Sequence, residues 1–110
     1  MTEGQEMQAT QVTKMLTGSV QIVPYNGEFP DLLNGNGART ASVHVDFPPK
    51  SFQSAPQVAV SINGLDINNN HGLRIQVSAA NADQNGFNLV FFTWADTQVN
   101  LCSAAWVAFE

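Results

Sequence analysis

From Ser19 onward, apolar residues recur at every second position in short runs bounded by Gly, Pro and Asn, the pattern of strands and not of helices. Val20 and Ile22 mark a first strand. The stretch 24–38 then carries two Pro, three Gly and three Asn and reads as a long loop. A second strand, Thr40 to Phe47, sends Ala41, Val43, Val45 and Phe47 one way and Ser42, His44 and Asp46 the other, and Pro48-Pro49 ends it. The third, Gln57 to Ile62, turns Val58, Val60 and Ile62 inward. The fourth, Leu73 to Ala79, turns Leu73, Ile75, Val77 and Ala79 inward and Arg74, Gln76 and Ser78 outward. The fifth follows the Asn85-Gly86 turn signal and is apolar on both faces, with Phe87, Leu89, Phe91 and Thr93 opposed by Val90, Phe92 and Trp94. The sixth, Val99 to Phe109, sets Trp106 against Val99, Leu101, Val107 and Phe109. Six short strands predict an all-β antiparallel sandwich or barrel.

A strand with two apolar faces needs a second surface to cover it. Another subunit is one solution, and the loop 24–38 folded across that face is the other. Residues 1–16 are rich in Gln and Glu and read as a leader or short helix ahead of a single domain over residues 17–110.

Of the 110 residues 44% are apolar but only 12% charged, about half the usual share, and the net charge is -5. The only cations are Lys14, Arg39, Lys50 and Arg74, too few and too scattered to neutralise a phosphate backbone, so nucleic acid is excluded as a partner, as are anionic membrane surfaces. No apolar run approaches the roughly 20 residues that span a bilayer, which argues against membrane insertion. Residues 1–16 lack the apolar stretch of a signal peptide, pointing to cytoplasmic or non-classical secretion rather than classical secretion. Cys102, the single cysteine, reads as a buried thiol and fits a reducing compartment; a disulfide-free secreted protein with its leader removed would look the same.

Two histidines, one cysteine and no nucleophile-elbow or phosphate-loop signature give no catalytic residues, and an enzyme is not expected. His44 and His71 read as surface residues without partners. The stretch Asp66 to Gly72 alternates oxygen side chains as a calcium loop does, but Gly falls one place late and Val77 stands where a Glu would close the site, so no metal or other cofactor is expected. The five Asn-Gly steps, at 26, 34, 36, 63 and 85, read as turns. What the chain does hold is the material of a sugar-binding surface: an aromatic face for the apolar side of the ring, with a guanidinium and amides for hydroxyls. Trp94 ends the fifth strand, Arg74 points outward from the fourth and Asn36 lies in the Gly-rich loop. Trp94 reads equally as a core aromatic.

The segments Phe52 to Asp66 (FQSAPQVAVSINGLD), Leu73 to Val77 (LRIQV), Asn85 to Thr97 (NGFNLVFFTWADT) and Ala105 to Ala108 (AWVA), in this order and spacing, resemble the H-type lectin family of snail agglutinins and discoidin C-terminal domains. The resemblance runs from about Gly18 to Phe109. It implies a six-stranded antiparallel β-sandwich that assembles as a homotrimer and binds terminal N-acetylgalactosamine or galactose in shallow sites between protomers, with no catalytic step and no required metal. The family's strand arginine matches Arg74, and the Trp of its Thr-Trp motif matches Trp94. Its upstream loop residue falls at Asn36, beside Gly37, in an alignment anchored by Arg39. Asp96 follows as a secondary contact, and Asn100 stands where the family has a Tyr. Ala95 replaces a His or aromatic. The expectation is a lectin for glycans with terminal galactosamine or galactose. A structural module with a decayed sugar site, serving protein assembly, is the alternative that Ala95 and Asn100 support.

Overall fold

The computed structural model describes residues 11–110. Six strands form in chain order: β1 (Met15–Ile22), β2 (Arg39–Asp46), β3 (Gln57–Ile67), β4 (Gln76–Asp83), β5 (Gly86–Thr93) and β6 (Val99–Phe109). They make two three-stranded antiparallel sheets, β1-β6-β3 and β2-β5-β4, so the two strands with the strongest apolar character, β5 and β6, are the central strands. Most of residues 1–16 lies outside the described residues, while Met15 and Leu16 belong to β1.

The inner faces meet in one core. Phe87, Leu89 and Phe91 of β5 face Cys102, Ala104, Trp106 and Ala108 of β6, all buried. At the end where β6 finishes, Phe47, Phe52, Phe87 and Trp106 form an aromatic cluster with ring centroids 5.2–5.9 Å apart, within the range where edge and tilted contacts are favourable. Alternation along β2 matches the pattern read from its sequence, as does the inner face of β5.

Several elements differ from that pattern. In β6 Trp106 takes the core side and Leu101, Val107 and Phe109 the outer face, as alternation divides them, and only Val99 departs from that division. Val99 joins the core because the register shifts between Leu101 and Val99, leaving Asn100 as the extra residue. A second shift makes Asn63-Gly64 a bulge inside β3 and not a turn, and Ile62 beside it, though on the inward face opposite Ala104, is 36% exposed. β4 starts at Gln76, three residues later than predicted, and Leu73 is 65% exposed rather than inward. Where the ladder ends, the Thr93 hydroxyl donates to the Arg74 carbonyl.

The loop 24–38 is more structured than its composition predicts. A 3-10 turn spans Pro24–Asn26 and a single helical turn, α1, spans Asp31–Asn34. Leu32 of α1 is fully buried in the core. The loop therefore closes one end of the sandwich against β2 and β6. It does not lie across the outer face of β5, where Val90 and Phe92 remain half-buried.

Candidate functional site

The β5–β6 turn, residues 94–98, is the meeting point of three connections. From one side the Gly-rich loop arrives: the Gly37 amide donates to the Ala95 carbonyl at 2.9 Å. Arg39, at the start of β2, secures that arrangement. Its guanidinium donates to the carbonyls of Gly37 (2.9 Å), Asp31 (3.1 Å), Leu32 (3.3 Å) and Ala95 (2.7 Å). From the other side the β3–β4 connection arrives: the Thr97 hydroxyl donates to the Gly72 carbonyl at 2.7 Å, and the Asn68 side-chain amide donates to that of Gln98 at 2.8 Å.

Arg74 lies in this second connection. The β4–β5 ladder ends with Gln76 opposite Phe92, and Arg74 precedes it by two residues, its carbonyl accepting from the Thr93 hydroxyl. Its Nη1 donates to Asp96 Oδ1 at 3.0 Å and to the Thr97 hydroxyl at 3.4 Å. The guanidinium lies against Gly72, where an added Cβ would stand 2.7 Å from Nη1 and 3.0 Å from Nη2, so a side chain there would shift the guanidinium. Nε and Nη2 have no hydrogen-bond partner among the described residues, which leaves a free donor edge on a partly exposed side chain. His71 Nδ1 stands 3.0 Å from Asp96 Oδ2. That hydrogen bond, with a smaller one from Arg74, holds the Asp96 carboxyl below its ordinary value of 3.8.

Trp94 is 38% exposed and not a core aromatic. Its ring stacks on Phe92, centroids 5.3 Å apart and planes 23° from parallel, so Phe92 covers one indole face. Ala95 follows with φ 56°, a left-handed conformation that costs an L-residue roughly 1–2 kcal/mol and that the two hydrogen bonds to its carbonyl help to hold.

Asn36 and Gly37, Arg74, Trp94 and Asp96 are thus brought around one turn, on an open surface: the described residues enclose no pocket. Asn100 sits apart from this hydrogen-bonded group, on β6 of the other sheet, with its amide 3.5 Å from Asp66 Oδ1. Two residues of the site were not predicted. His71, read as partnerless, pairs with Asp96 across 25 positions of sequence, and Arg39 is an organiser of the loops rather than a sequence landmark. His44 also has partners, Asn88 at 2.8 Å and Asp46 at 3.0 Å, on the exposed face of β2.

The described residues thus form an all-β domain of the antiparallel sandwich class, with an exposed Trp and a braced Arg beside one turn. The H-type lectin domain model matches residues 42–109, and the chain belongs to that family. That match includes Arg74, Trp94, Asp96 and Asn100 and stops short of Asn36, Gly37 and Arg39. Discoidin-2 of Dictyostelium discoideum is 31% identical over 106 residues, 96% of this chain and 41% of that protein. A product of the ATP synthase subunits region of Fuscovulum blasticum, ORF 7, is 35% identical over 74 residues, 67% of this chain and 64% of that one. The chain thus spans less than two thirds of either relative. Two solved structures of discoidin II from D. discoideum superpose with TM-scores of 0.76 and 0.77 at 30% and 29% identity, covering 88% and 94% of this chain and 36% and 39% of theirs.

Proposed function

We propose that this domain is a non-enzymatic lectin that binds terminal N-acetylgalactosamine or galactose at the β5–β6 turn and acts multivalently as a homotrimer. The observation that carries the reading is the presence beside one turn of an exposed indole at Trp94 and the free donor edge of Arg74, which Asp96 braces from that turn. Galactose presents an apolar face for the indole and vicinal hydroxyls for the guanidinium. Asn36 and Gly37 frame the other side of the turn, and Asp96 braces Arg74. Asn100 would act from the neighbouring sheet. Membership of the H-type lectin family supports the carbohydrate class. The half-buried outer face of β5, with Val90 and Phe92, supports self-association, and several weak sites on one particle gain avidity without new contacts.

The same apolar face favours a second reading, an assembly module whose sugar site has decayed. A glycan array probed with the labelled protein separates the two. Selective binding to terminal galactosamine or galactose is expected, with Trp94→Ala and Arg74→Ala each weakening it about tenfold or more. Light scattering should give a trimer mass for the parent and both variants. Unchanged affinity in both variants refutes the site, a silent array from a folded trimer favours the assembly module, and a monomer mass refutes the multivalent reading.

A further inference from the structure

Both oxygens of Asp96 are engaged from within the chain, Oδ1 by Arg74 and Oδ2 by His71. A carboxylate only accepts hydrogen bonds, so the imidazole nitrogen facing it, Nδ1, carries a proton. In a neutral ring that assignment leaves Nε2 as an acceptor. Nε2 has no partner among the described residues, and the His71 side chain is 32% exposed. One carboxylate therefore sets two groups on the same surface, the donor edge of Arg74 and an acceptor on His71. A sugar hydroxyl both donates and accepts, and adjacent hydroxyls of one ring can use such a pair together.

Resting on the carbohydrate-binding reading, we propose that His71 is a sugar-contacting residue, its Nε2 accepting a hydrogen bond from a glycan hydroxyl, and that Asp96 is the positioning residue which fixes the His71 tautomer and the Arg74 guanidinium. The charged groups that meet His71 are Asp96, from the β5–β6 turn, and Arg74, on its own connection through the shared carboxylate.

The test is calorimetric titration of the parent protein, His71→Ala and His71→Asn with N-acetylgalactosamine. Melting temperature and eluted size should match the parent, since His71 lies in an exposed connection. His71→Asn keeps an amide donor near the Nδ1 position for Asp96 but has no atom at Nε2. Both variants should bind about threefold to tenfold more weakly. Nitrogen chemical shifts of the parent's His71 ring should place the proton on Nδ1 and leave Nε2 bare. Parent-like affinity in His71→Asn, or a ring protonated on Nε2 instead, reduces His71 to a structural role and overturns the proposal while leaving the lectin reading intact. A parent that binds no sugar sinks both.

Discussion

Arg39 holds its charge almost out of water, 8% exposed and with no carboxylate beside it among the described residues; the compensation is four backbone carbonyls. Two of those carbonyls belong to α1, one to the Gly-rich loop and one to Ala95, so one side chain ties the short helix, the loop and the β5–β6 turn together. Arg39→Met, which keeps the stem but loses the donors, is expected to cost about 2–4 kcal/mol by urea denaturation, because the carbonyls are left buried and unpaired. At this scale little was legible in the sequence. Arg74 and Trp94 stand out by residue type and by position on alternating strands. The role of Arg39 and the bond from His71 to Asp96 are invisible there, since each depends on segments that meet only after folding.

Among the elements, β6 shows how one residue sets the sequence of another strand. Trp106 is the bulkiest inward side chain of β6, and its β1 partner in the register is Gly18. A Cβ on Gly18 would lie 2.6 Å from the indole, closer than atoms can approach, so the glycine is a space requirement and not a turn. Gly18→Ala is expected to destabilise the fold by about 1–3 kcal/mol, measured as a lower urea midpoint at unchanged slope. Strands β2 and β5 were legible because period two, once started, runs through them without interruption. Two places were not, Val99 at the start of β6 and Asn63-Gly64 in β3, because each adjoins a bulge, and one extra residue exchanges inside and outside beyond it.

Across the whole molecule the site occupies one end of the sandwich, and Glu110 ties the other. Its carboxylate accepts from the Ser54 hydroxyl at 2.7 Å and from the backbone amides of Ser54 (2.8 Å) and Gln53 (3.1 Å), and Lys14 Nζ lies 3.6 Å away. The Ser54 hydroxyl first, then the two amides, pull its carboxyl from an ordinary 4.5 down to about 2. A group with a depressed folded-state pKa stabilises fully above its unfolded value and loses that contribution as pH falls through the folded one. Stability at this end should therefore hold above about pH 4.5 and decline toward about pH 2. Urea midpoints across that window should fall less steeply for Glu110→Gln, and an equal slope in both proteins would count against the lock.

The residue pattern alone determined that this chain is an all-β domain, because alternation is a property of neighbours in sequence, and it pointed to Arg74 and Trp94, because guanidinium and indole bring their chemistry wherever they stand. Only the tertiary structure decided which strands are central, where the ladders slip, and that loop 24–38 closes an end instead of covering a face. It also decided the arrangement of the site. Asp96 takes one hydrogen bond from His71 and another from Arg74, and Ala95 is held in a left-handed turn by a loop some 58 residues earlier at Gly37. Such contacts are set by the packing of two sheets, which places side by side groups that no local pattern relates.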